Sequence, residues 1–291
     1  MTSPTQDDPR ATYLGLRLAM PVLVLLLAVG IGARFAATGC LQPSISAYFY
    51  SPLRSLFVAA LCAIGTCLII YRGRSDRENA LLNLSGVMAF VVAFEPTEIG
   101  PGPCEFATAP EQDEILEATY TNVLALIVVG LVAVLVAAGL AVWTGVRMVR
   151  PSGSPPPTSP DDSSASVIGA LGVAIPIVLV AVFFFADFEF FTVWAHLGAA
   201  VLLFVGVVAV VLLNCFDDAT SARAKRVYAL LAVGMAAAAS LLFVDFRTHV
   251  FWTESLLIAL FAVYWVVQTV DLERRRPTPP QDRGVEDLVA G

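Results

Sequence analysis

Eight apolar runs recur along this chain, near Tyr13–Ile31, Leu53–Tyr71, Ala80–Phe94, Asn122–Trp143, Val167–Ala186, Phe191–Leu213, Val227–Val244 and Val250–Val270. Most approach the ~20 residues that a helix needs to cross the hydrocarbon core of a bilayer. The chain has 291 residues, 58% apolar and 14% charged, which leaves too little polar surface to clothe a water-soluble fold. Its mean hydropathy of +0.79 agrees. The expected fold is therefore all-α, a polytopic transmembrane helix bundle of about eight spans. Ala80–Phe94 is the shortest run and reaches across only if Asn79 and Glu95 lie at the two interfaces, where tilt and snorkelling absorb a few Å of mismatch.

Orientation follows from the Lys and Arg residues in the connectors. Arg72, Arg74 and Arg77 follow the second run, Arg147 and Arg150 the fourth, Arg223, Lys225 and Arg226 the sixth, and Arg274, Arg275 and Arg276 the eighth. These places share one side, so both termini are expected in the cytoplasm. The stretch Glu95–Thr119 carries seven carboxylates and no Lys or Arg, which places it outside. Aromatics at Tyr48, Phe49, Tyr50 and Phe188–Trp194 fall at expected outer ends. Those at Tyr71, Trp143, Tyr228 and Trp265 fall at inner ones, as interfacial belts would. The net charge of −7 resides in the aqueous parts and, with no basic patch, implies no nucleic-acid partner. Membrane lipids are the expected surroundings, and the expected location is a bacterial inner or plasma membrane, multi-pass.

The chain divides accordingly. Residues 1–12 read as a cytoplasmic tail and 13–148 as helices one to four with an acidic outer loop at 95–119. Residues 149–166 read as a disordered Pro/Ser-rich linker, 167–271 as helices five to eight, and 272–291 as a second tail. The small-residue cluster at Ala36–Cys40 resembles a signal-peptide cleavage box, but Arg34 and Phe35 interrupt the approach to it, so a retained first helix is expected. Small residues four apart, Ala59 with Ala63 and Gly234 with Ala238, suit close helix packing.

Cys62, Cys67 and Cys215 fall within helices or on the cytoplasmic side, whereas Cys40 and Cys104 face outward, where an oxidising exterior permits a disulfide between them. Ionisable residues at membrane depth gather at the outer level: Glu95, Asp187, Glu189, His196, Asp245, His249 and Glu254. Such groups are costly in hydrocarbon unless partnered, so they are expected to converge on an outward-facing polar pocket that binds a small ligand, a lipid or a membrane-protein partner. His196 and His249 are the only histidines and share one side. No cofactor is required by any motif, although the two imidazoles with nearby carboxylates are the donors a divalent metal such as zinc would use.

The stretches SISAYFYSPLRSLFVAALCAIGTCLIIYRG, VWAHLGAAVLLF and THVFWTESLLIALFAVYWVV together resemble an uncharacterised bacterial family of multi-pass membrane proteins, a pattern that implies no activity. In layout the chain is also similar to the membrane hydrolase superfamily of alkaline ceramidases and progestin and adipoQ receptors. That likeness implies a zinc-dependent hydrolase of a lipid or amide. The chain departs from it at Thr253, which stands four residues beyond His249 where that pattern has a second histidine. GxSxG, P-loop and GxGxxG motifs are absent. Two classes remain, a ligand-binding membrane protein and a metal-dependent membrane hydrolase. The first is favoured, because no complete catalytic set can be written down.

Overall fold

A computed structural model of the chain describes residues 8–97, 104, 111–148, 161–243 and 246–274. Among them are eight α-helices: α1 Asp8–Thr38, α2 Arg54–Ile70, α3 Asp76–Phe94, α4 Gln112–Met148, α5 Asp161–Ala186, α6 Phe188–Phe216, α7 Ala222–Ser240 and α8 Phe246–Arg274. Short 3-10 helices lie at Ser46–Tyr50 and Leu241–Phe243. The segments Ala11–Thr38, Gln112–Leu140, Phe188–Phe216 and His249–Arg274 are long and apolar enough to cross a membrane.

Each apolar run coincides with a helix, but several helices start earlier than hydropathy suggests. Hydropathy marks the part that lipid can cover, whereas backbone hydrogen bonding runs on through polar residues that suit a helix start. Carboxylates favour the positive end of the helix dipole, and Asp113 and Glu114 occupy the first turn of α4. The acidic stretch 95–119 is thus not one loop, since its last eight residues, 112–119, begin α4. Likewise α5 takes up residues 161–166 of the expected linker, and 149–160 lie outside the described residues. Side-chain caps open three other helices. Ser75 accepts from the Glu78 N–H, Asp187 from Phe190 and Ser221 from Ala224. Asp187 is the only residue between α5 and α6.

The centre of the bundle is α3, which packs against α2, α4, α5 and α6. α1 packs on α2 and α8, while α7 packs on α6 and α8. The shortest apolar run is therefore the best-covered helix. Neighbouring helices rather than lipid surround Asn83 and Ser85, whose polarity lowers its hydropathy. α2 and α3 cross at Gly65 and Gly86, where a methyl group on Gly86 would lie 2.7 Å from the Gly65 carbonyl oxygen. The expected small pair Ala59/Ala63 does not make this crossing: Ala59 is exposed and Ala63 half-buried.

Between α1 and α2 the chain turns back into the bundle. Gly39 adopts φ +66°, a left-handed conformation open to glycine without strain, and its N–H bonds to the Phe35 carbonyl to end α1. Residues 44–51 that follow are all buried. Tyr48, Phe49 and Tyr50 are thus core residues and not an interfacial belt, and so are Tyr71, Tyr228 and Trp265 at the other end. Phe190, Trp194 and Trp143 remain exposed, as belt residues would. Buried backbone needs partners, and here they are local: Ser44 Oγ accepts from the Ala47 N–H at 2.9 Å, and Ser51 donates back to the Tyr48 carbonyl at 2.7 Å. We call residues 39–53 the plug.

Candidate functional site: a plugged cavity and a buried polar clasp

The plug is held from three directions. Cys40 and Cys104 are disulfide-bonded with Cα atoms 5.9 Å apart. Tyr50 donates its hydroxyl to the Thr97 carbonyl at 2.6 Å. From α8, the Glu254 carboxylate accepts the Ile45 N–H and, at 3.2 Å, the Ser46 hydroxyl. Glu254 thereby accepts from the start of the 3-10 helix, where the first backbone N–H groups have no partner within the helix.

Beneath the plug lies a cavity of about 70 Å³. Val24, Leu61, Val92, Leu203 and Ile258 line it from five helices, and among the described residues its only polar side chains are Ser46 and Glu254. A second, open recess of about 660 Å³ lies between α5 and α6 over α3 and is lined by apolar residues such as Met88, Leu179 and Trp194.

The other residues expected at the outer level are placed separately. Glu95 and His196 come together, since the His196 ring faces the Glu95 backbone carbonyl through Nδ1. That contact needs the proton on Nδ1 and leaves Nε2 as an acceptor. Asp187 is exposed and caps α6, accepting from the Phe190 N–H at 2.9 Å. Glu189 is exposed on the first turn of α6. His249 is half-buried near the start of α8, and Asp245 lies outside the described residues. Glu254 and His196 are therefore engaged in two separate arrangements. Among the described residues no group of three His, Cys, Asp or Glu side chains is placed to hold a metal ion.

Glu95 lies just past the end of α3 and is buried to 3% exposure, with Oε2 unpartnered. Burial pushes its carboxyl up to about 8, opposed only by the Thr119 hydroxyl. Between the ordinary value of 4.5 and 8 the folded chain holds this proton and the unfolded chain does not. Its contribution to stability is therefore complete below 4.5 and is lost as pH rises through 8, by at most about 1.4 kcal/mol per pH unit. Denaturation midpoints should fall between pH 5 and 8 for the native chain more steeply than for Glu95→Gln, which cannot ionise. Parallel slopes would show that Glu95 does not titrate in this range.

At the opposite end of α3 the structure holds a polar network that the outer-facing expectation missed. Arg74 donates through Nη1 to Asp217 at 2.9 Å and to Thr220 at 3.1 Å, and through Nη2 to Asp271 at 3.4 Å. Tyr228 donates to the same Asp271 oxygen at 3.4 Å. Glu78, 2% exposed, accepts the Arg74 backbone N–H on Oε2 at 2.7 Å. Its Oε1 accepts from Asn214 Nδ2 at 3.1 Å and from Gln268 Nε2 at 3.3 Å. This clasp ties the α2–α3 turn to α6, α7 and α8. Two sequence signals carried it: Ser75-x-x-Glu78, the spacing of a capping box, and Tyr264, Gln268 and Asp271 on one face of α8 at helical spacing.

Comparison of the chain with models of known families, with curated proteins and with solved structures finds no match.

Proposed function

We propose that this chain is an integral protein of a bacterial plasma membrane, crossing it eight times with both ends in the cytoplasm, and that it binds an acyl-chain lipid in the cavity beneath the plug. The cavity carries the reading: a narrow apolar space inside the bundle with one carboxylate and one hydroxyl at its outer end. A space of about 70 Å³ has room for only a few water-sized groups, and an apolar lining favours hydrocarbon over water there. It suits the end of a chain rather than a compact molecule, with Glu254 and Ser46 available to a hydrogen-bonding headgroup once the plug shifts. The orientation draws support from the Lys/Arg distribution and from the Cys40–Cys104 bridge, which suits an oxidising exterior.

The test is labelling in native membranes with a diazirine-bearing fatty acid, followed by mapping of adducts on peptides. Adducts are expected on cavity residues such as Leu61 and Ile258. They should be lost in Ala200→Leu, whose longer side chain enters the space. Adducts confined to recess residues such as Leu179 and Val201, and unchanged by Ala200→Leu, would contradict the proposal and point to ordinary lipid contact.

A further inference from the structure

Of the 17 Lys and Arg residues, only Arg34, Arg54 and Arg247 fall on the outer side when the basic connectors face the cytoplasm. The bias of Lys and Arg toward the cytoplasm makes such residues exceptions that need a reason. The Arg247 side chain lies outside the described residues. Arg34 and Arg54 are half-buried at the outer end of one seam, between α1 and α2. There a methyl group on Gly30 would lie 3.1 Å from Leu53, and Arg34 stands one turn beyond Gly30 while Arg54 follows Leu53.

Both arginines adjoin the plug. The Arg54 guanidinium lies 4.2 Å from the centre of the Phe49 ring, and Arg34 is near enough for its charge to act on the Tyr48 hydroxyl. Tyr48 is 0% exposed, and its hydroxyl, beside the Gln42 backbone, has no hydrogen-bond partner of ordinary geometry. Among the described residues neither arginine enters an ion pair. A guanidinium stacked on an aromatic face keeps its N–H edge available, and that edge matches the oxygens of a phosphate. The cavity lies below the same seam: Leu27 lines it two turns from Arg34, and Phe57 lines it one turn from Arg54. Helix rise puts these arginines about 10 Å and about 4.5 Å beyond those lining residues, the span over which a chain end gives way to its headgroup.

We propose that Arg34 and Arg54, joined by the Tyr48 hydroxyl when the plug shifts, hold the phosphate of a net-anionic lipid headgroup that also carries hydroxyls, the phosphatidylglycerol class. The assignment rests on the acyl-chain reading of the cavity and adds the headgroup to it. Two guanidiniums with no carboxylate paired to them attract net negative charge, whereas a choline headgroup would bring a third cation among them. Glu254, the carboxylate at the outer end of the cavity, would oppose a bare anion but can accept from a glycerol hydroxyl, which a choline headgroup lacks.

The experiment photolabels the full-length protein, reconstituted in phosphatidylcholine vesicles, with phosphatidylglycerol or phosphatidylcholine carrying the same diazirine acyl chain. At equal mole fraction the glycerol lipid should label cavity residues such as Leu61 and Ile258 roughly tenfold more, as expected for two basic residues acting on one anionic lipid. Arg34→Gln and Arg54→Gln should each cut that preference severalfold and leave labelling by the choline lipid unchanged. Arg72→Gln, exposed at the opposite end of α2, should alter neither. Millimolar inorganic phosphate should not displace the label; displacement would mean a site for phosphate itself and overturn the lipid assignment. Equal cavity labelling by the two lipids would overturn the headgroup and leave the cavity reading standing. Cavity labelling by neither would overturn the cavity reading and the headgroup with it. The native comparison decides even where a variant fails to fold.

Discussion

Replacing Arg74 by alanine is expected to destabilise the protein by about 1–3 kcal/mol, between the cost of breaking an exposed ion pair and that of breaking a fully buried one. Arg74 pairs with both Asp217 and Asp271, and the Asp271 side chain is only 9% exposed. Its loss removes a guanidinium that joins Asp217, just past the end of α6, to Asp271 of α8, together with its bond to Thr220. Arg72 provides the control. It lies two residues away and is exposed, so Arg72→Ala should change stability by no more than about 0.5 kcal/mol. Reversible unfolding in mixed detergent, followed by tryptophan fluorescence, measures both. Equal effects of the two substitutions would mean that the clasp adds nothing beyond surface charge.

A methyl group at Gly86 should be nearly as damaging. In Gly86→Ala the added carbon would lie 2.6 Å from Ile69 Cγ1 and 2.7 Å from the Gly65 carbonyl oxygen. Ile69 can rotate, but the Gly65 oxygen belongs to helix backbone, so α2 and α3 must move apart. Forced overpacking of this kind costs about 1–3 kcal/mol, and the upper end is expected where backbone has to shift. The displacement would also reach the cavity, which both helices line. Gly198→Ala meets nothing within 4 Å and should be neutral under the same conditions.

The helical layout was legible because apolar runs long enough for lipid leave few alternatives, and every run has its helix. Helix starts were less legible, since Gln112 and Asp161 begin helices on polar residues that hydropathy treats as connector. Cys40 and Cys104 stood out because they alone were assigned to the outside once the basic connectors had a side. Glu254 was visible as an acid in an apolar run, but its partner was not. The Ile45 N–H lies 209 positions away, in a segment whose aromatics look interfacial until the plug buries them. The clasp escaped notice for the opposite reason. Arg74 and Glu78 sit among basic connector residues, where exposure to cytoplasm explains any charge, and the connector's spacing does not reveal that α6, α7 and α8 close over it.

The account depends most on the chain threading the membrane eight times with the plug outside, and reporter fusions test this directly. Fusions after Arg150 and after Arg276 should give cytoplasmic signal, and a fusion near Gln112 should give exterior signal. A cytoplasmic signal from the Gln112 fusion would invert the plug, the cavity mouth and the Cys40–Cys104 bridge to the reducing side, and would contradict the arrangement as a whole.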